Sequence, residues 1–143
     1  MPTSNSILVD TSGWGCYLDR REAHHQAAVA IAQAAALNHR KLVTSNYIIA
    51  ELVVLLASRL RFPRPQVYAA IDAFKASSSV EIMHIDAPLD ATAWALLKTR
   101  ADKDWSLVDA SSFVIMQTYG MTEALTTDHH FTQAGFAKLL ATP

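Results

Sequence analysis

The sequence predicts an α/β fold of three layers, with helices on both faces of a short, mostly parallel central sheet of four or five strands. Three observations carry that expectation. Aliphatic and β-branched runs such as Ile7–Val9 and Leu42–Val43 are brief and without polar alternation, as strands covered on both faces are. Longer stretches between them place apolar residues at helical spacing. The two kinds of segment alternate along the chain, the order of parallel strands joined by crossover helices. At 143 residues the chain is read as one domain, 1–143.

The elements follow in order. Ile7–Val9 is a buried strand that runs into Asp10, Thr11, Ser12 and Gly13, where the chain is expected to turn away. His24–Asn38 is Ala-rich, with Val29, Ile31 and Leu37 on a modest apolar face, and predicts a helix. Leu42–Val43 is a second strand, ending in Thr44-Ser45-Asn46. Tyr47–Leu60 is apolar almost all round, as in a helix buried on several sides. Arg59, Arg61 and Arg64 then surround Pro63 and Pro65, a basic break expected to lie outside any helix. Gln66–Ala76 resumes helical spacing through Val67, Ala70, Ile71 and Phe74. Ser77–Ser79 is a loop, Val80–Ile85 a third strand, and a helix is expected from about Pro88 to Arg100. After the polar loop "DKDW", Ser106–Tyr119 is a strongly apolar helix stopped by Gly120. Ala124–Leu125 is a fourth strand ending in "TTD", and Phe131–Leu140 is read as a last helix interrupted by Gly135.

Composition narrows the function classes. Hydrophobic residues make up 51% and charged ones 17%, which is a well-cored globular chain rather than a disordered one. The formal net charge of -1 supplies no global basic field for nucleic acid, so such a partner would be met by a local patch or through bound cations. Cys16 is the single cysteine, which fits a reducing, cytoplasmic setting. No signal pattern and no apolar run near 18 residues is present, so neither secretion nor membrane spanning is expected.

Ligands of such sheets gather at the carboxyl ends of the strands, where strand order reverses. Asp10 and Asp128 each terminate a predicted strand, while Glu51 and Asp109 lie near the starts of the helices in "TSNYIIAEL" and "WSLVDASSF". Each has an ordinary structural reading. Asp10 fits a turn cap and Asp128 a helix N-cap; Asp109 fits a capping box with Ser106, and Glu51 a solvated helix residue. Taken one by one, these readings leave unexplained why all four acids share one edge. Like charges at ~4 Å repel by roughly 4 kcal/mol at an effective dielectric near 20. A divalent cation removes that cost, and an all-oxygen donor set suits Mg²⁺ or Mn²⁺ better than zinc. Such a site can activate water against a phosphodiester. No Ser–His–Asp order, Gly-rich phosphate loop or Cys/His zinc spacing competes with it.

The segments "ILVDTSGW", "TSNYIIAEL", "DKDWSLVDASSFVIM" and "EALTTDHHFTQAGF", in this order and at these separations, make the chain resemble a PIN domain, and specifically the VapC ribonuclease toxins of toxin–antitoxin modules. The resemblance implies a PIN-like fold and a metal-dependent endoribonuclease with Asp10, Glu51, Asp109 and Asp128 as its acidic cluster. Asp10 and Asp109 would be the principal ligands of Mg²⁺ or Mn²⁺, with Glu51 and Asp128 completing the shell and one of them orienting the attacking water. Ser12 and Thr127 match small polar family positions that hold a carboxylate or a water. It further implies an RNA substrate (tRNA or another structured RNA), a cognate antitoxin protein covering the site, and a homodimer.

Other residues are read beside that set. Asp104 is a fifth acid, a candidate for the cluster or a turn former next to Lys103. The doublets His24-His25 and His129-His130 cannot share a helix face, so they are expected at the surface, with His129 or His130 able to touch RNA. Arg59, Arg61 and Arg64 are either cations at a helix end or contacts to RNA phosphates or antitoxin. A receiver-like switch domain would need an acidic pair after the first strand and a late Lys; a phosphatase using Asp10 would need an Asp where Ser12 stands. The nearer alternative is a PIN nuclease of housekeeping RNA processing without an antitoxin.

Overall fold

The computed structural model describes residues 1–140. The chain forms β1 (Ile7–Val9), α1 (Thr11–Leu18), α2 (His25–Leu37), β2 (Leu42–Ser45), α3 (Asn46–Ala57), α4 (Arg64–Ala76), β3 (Val80–Met83), α5 (Ala87–Thr99), α6 (Leu107–Tyr119), β4 (Glu123–Leu125), α7 (His129–Gln133) and β5 (Ala137–Lys138). The strands make one parallel sheet in the order β3-β2-β1-β4-β5. The chain starts at the centre, winds outward through β2 and β3, then returns to the other side of β1. Strand order therefore reverses between β1 and β4.

The fully buried β1 sends alternate side chains to opposite faces, as the twofold strand period requires. Ile7 and Val9 join a core with Trp14, Ile48, Leu52, Val67 and Phe74 from α1, α3 and α4. Leu8 joins a second core with Phe113, Met116 and Phe131 from α6 and α7. These are the three expected layers. Trp14 stacks on Phe74 at 4.0 Å between ring centroids and donates its indole N–H to Thr44 Oγ1 at 3.1 Å. The ring is thus buried with its one polar atom satisfied. Each such large side chain contributes about 1.5–3 kcal/mol by leaving water.

Several expectations need correction. The chain does not turn away after Asp10 but enters α1, with Asp10 as N-cap. Gly13 is inside that helix because a Cβ there would lie 1.9 Å from the Leu125 carbonyl oxygen, so α1 crosses β4 at backbone contact. Pro65 is inside α4, not outside it. It occupies the first turn, where a proline leaves no intrahelical bond unmade. The helix expected over Phe131–Leu140 is instead α7, a left-handed Gly135 (φ 95°) and the edge strand β5. Pairing of β5 with β4, including Leu139 N–H to Ala124 O at 2.9 Å, overrides the local apolar pattern. α3 buries Ile48, Leu52 and Leu56 and leaves one face, with Ala50, Glu51 and Val54 (64% exposed), to solvent. None of the helices described is long and apolar enough to cross a membrane.

Candidate active site

Asp10 is placed by the junction of β1 and α1 at the point where strand order reverses. Its Oδ1 accepts the Gly13 N–H at 2.9 Å and the Ser12 hydroxyl at 2.8 Å; its Oδ2 accepts the Thr126 hydroxyl at 2.8 Å. The carboxyl is held in one orientation yet only 8% of the residue is exposed. Burial pushes its pKa up from 3.8 to about 6, against the pull of the bonds from Gly13, Thr126 and Ser12, and Asp128 adds repulsion. This one side chain is a cap, of a helix rather than of the expected turn, and also faces the cavity that the other acids line.

Thr126 directly follows β4 and is fully buried. Besides binding Asp10, its Oγ1 accepts the Asp128 N–H at 2.9 Å. Ser12 Oγ likewise accepts the Thr127 N–H at 3.0 Å. The Ser12 and Thr126 hydroxyls approach to 3.1 Å, but each has one proton and both are spent on Asp10. Thr126, not Thr127, is therefore the hydroxyl that holds the carboxylate; Thr127 contributes its backbone N–H.

Asp109 does form the capping box, taking the Ser106 N–H at 3.1 Å while the Ser106 hydroxyl takes the Asp109 N–H at 2.9 Å. The same Oδ2 lies 2.9 Å from His130 Nδ1. Asp128 caps α7 through the His130 N–H at 2.9 Å, and its Oδ1 is also 3.3 Å from His130 Nδ1. Glu51, on the second turn of α3, accepts the Thr11 hydroxyl at 2.8 Å and is otherwise exposed.

These groups meet. A cavity of about 450 Å³ is lined by Asp10, Ser12, Glu51, Asp104, Asp109, Asp128 and His130, with Arg59 beside them. Arg61 and Arg64 are not brought to it. The expectation of surface histidines holds for His129, whose side chain is 71% exposed, and fails for His130, at 18%. The helical offset that keeps the doublet from sharing a face is what turns His130 inward, so the "DHH" run at a strand end was its only signal. His24 and His25 lie elsewhere and are half-buried, with His25 Nδ1 2.9 Å from the Cys16 carbonyl.

The donor set fits a hard divalent cation. Five carboxylates surround one cavity, and among the described residues no Lys or Arg lies within 4 Å of Asp10, Glu51, Asp109 or Asp128. Oxygen donors of this kind suit Mg²⁺ or Mn²⁺. The Asp128, His129 and His130 donor atoms also lie within 4.8 Å of one another, so a nitrogen ligand is within reach.

The sequence model of the PIN domain family matches residues 7–137. The chain is 33% identical over 133 residues to a 23S rRNA-specific endonuclease, VapC20, from two strains of Mycobacterium tuberculosis, covering 93% of this chain and 97% of that one. The crystal structure of Mycobacterium tuberculosis VapC20, described as a Sarcin-Ricin loop cleaving toxin, superposes with a TM-score of 0.79 at 30% identity. The match covers 96% of this chain and all of that one (100%).

Proposed function

Since the chain belongs to the PIN domain family and stands within it among VapC-type ribonuclease toxins, we propose that it is a divalent-metal-dependent endoribonuclease acting as the toxin of a toxin–antitoxin module. One observation carries the site assignment: Asp10, Glu51, Asp109 and Asp128, far apart in sequence, line one cavity at the strand-order reversal. Asp10, Asp109 and Asp128 would hold Mg²⁺ or Mn²⁺, with Asp104 and the His130 ring at the margin of the shell. A bound divalent cation acidifies water and neutralises charge developing on phosphoryl oxygens. The protein supplies the rest. Ser12, Thr126 and the Gly13 N–H fix Asp10 before substrate arrives, and the Ser106 and His130 contacts fix Asp109. Glu51, the most solvated of the four, is placed to take a proton from attacking water at its free carboxylate oxygen.

The relative named for 23S rRNA makes a structured rRNA hairpin of the sarcin–ricin type the first substrate to test, ahead of tRNA. A cognate antitoxin, a homodimeric assembly and a cytoplasmic location belong to the same reading. Incubating the purified, antitoxin-free chain with that hairpin and with a tRNA panel, in Mg²⁺ or Mn²⁺ and in EDTA, tests it. Metal-dependent cutting lost in Asp10→Asn is expected. No cleavage of any RNA overturns the function, and undiminished cleavage by Asp10→Asn overturns the site.

A further inference from the structure

Five of the seven arginines fall in two short windows, Arg20-Arg21 and Arg59–Arg64. The fold joins these windows. Arg21 grips the buried Asp19 through two bonds, of 2.9 and 3.0 Å, and donates to the Leu60 carbonyl at 2.5 Å, which pins the loop after α3 against the end of α1. Arg59 approaches Glu22 to 4.0 Å. With Arg21 and Asp19 paired to each other, Arg20, Arg61 and Arg64 are exposed and, among the described residues, have no acidic partner within 4 Å. Arg20 and Arg61 line a hollow of about 340 Å³ together with Phe62 and Pro63, and Arg64 begins the helix that follows Pro63.

Helix-end electrostatics accounts for only part of this cluster: Arg20 follows the C-terminus of α1, and Arg59 and Arg61 follow that of α3. A cation is favoured at a helix C-terminus, but Arg64 opens α4, where the helix end is itself positive. Arg61 is held at φ 56°, in the left-handed region that residues other than glycine rarely adopt. Tyr68, 54% exposed, stands one turn beyond Arg64 on the same face of α4. Arg59 lines the acidic cavity itself, so the cationic surface starts where the carboxylates end.

We propose that Arg59, Arg61, Arg64 and Arg20 form a track for the RNA backbone leading away from the scissile phosphate, with Tyr68 offering a face for a base. The inference rests on the ribonuclease reading and assigns its substrate-holding surface. A chain with net charge -1 has no general attraction for RNA, so a local row of cations such as this one adds to whatever bound divalent ions supply. RNA is favoured over an acidic peptide because the row is continuous with the cavity where a phosphodiester would be cut, and because exposed aromatic surface accompanies it.

The test is fluorescence anisotropy of a labelled sarcin–ricin-type RNA hairpin binding to the non-cleaving Asp10→Asn chain, in Mg²⁺, over a series of KCl concentrations. The double variant Arg61→Gln/Arg64→Gln in that background should bind several-fold more weakly, with the slope of log affinity against log salt smaller by about 1 to 2. Arg61→Lys/Arg64→Lys should keep most of the slope. Lys98→Gln, on α5 at the opposite face of the sheet, should leave it unchanged. Matching melting temperatures exclude misfolding. An unchanged slope and affinity in the double Gln variant overturns the track, as does a loss confined to a Glu-rich peptide titrated in parallel. Cleavage by the wild-type chain with an unchanged slope removes this inference alone. Absence of both RNA binding and cleavage removes the ribonuclease reading with it.

Discussion

At the scale of single residues, Asp10 is the most telling group, because its environment is costly without a cation. Its ordinary pKa of 3.8 rises to about 6 on folding, mainly through burial. Below pH 3.8 it is protonated in both folded and unfolded chains. Between 3.8 and 6 the folded chain keeps a proton that the unfolded chain has lost. This group's contribution to stability is therefore greatest in acid and declines as pH rises through that window, by about 3 kcal/mol in all. In EDTA, Asp10→Asn should consequently melt several degrees higher than wild type at pH 7 and by a smaller margin at pH 4. A variant that melts lower at pH 7 would show that the carboxylate is not a strained group. Thr126→Val removes a donor to Asp10 and the acceptor of the Asp128 N–H. Denaturant titration should find it destabilised by about 1–3 kcal/mol, with Mn²⁺ affinity reduced ~10–100-fold by calorimetry. The acids were legible in the sequence because their positions at strand and helix ends follow from the apolar runs. Thr126 and His130 were not. Each is decided by which way one side chain turns after a strand stops, and Thr127 and His129 offer the same chemistry one position away.

At the scale of elements, the site depends on α1 lying against β4 at backbone contact. A Cβ at Gly13 would meet Leu125 O at 1.9 Å and Val9 Cγ1 at 3.0 Å, with no flexible side chain to move aside at the first of these. Gly13→Ala should cost more than about 2 kcal/mol in urea and should lower cleavage of whatever protein remains folded, since Asp10, Ser12 and Thr126 bridge that contact. Gly15→Ala meets only movable side chains, Leu55 at 3.2 Å and Leu60 at 3.8 Å, and should cost less. Equal costs would mean that the α1–β4 approach is not what selects glycine at 13. This packing also explains why α1 was illegible: two glycines in eight residues lower helix propensity, and the gain that offsets them comes from a strand more than a hundred residues later. β5 was illegible for a related reason, being two residues whose partner is β4 and whose own pattern is mute. The central strands and α2, α5 and α6 were readable to within a few residues because burial on both sheet faces leaves strong periodicity in the chain itself.

At the scale of the whole molecule, a chain with nearly balanced charge concentrates its acids at the strand-order reversal and its arginines beside them. The three-layer fold brings residues 10, 51, 109 and 128 to one cavity with no local sequence signal linking them. The ordered set of strand and helix ends was legible; whether Asp104, Arg59 and His130 join the acids there was left open by the sequence, because tertiary packing alone brings them in. We propose that this cavity cuts RNA with a divalent cation held by those carboxylates. It is tested most directly by the cleavage rate of a sarcin–ricin-type hairpin with wild type and Asp10→Asn, each in Mn²⁺ and in EDTA. Cutting by wild type in Mn²⁺ alone is expected, with Asp10→Asn slower by about 100-fold or more. Cleavage that persists in EDTA, or an Asp10→Asn rate equal to wild type, would contradict it.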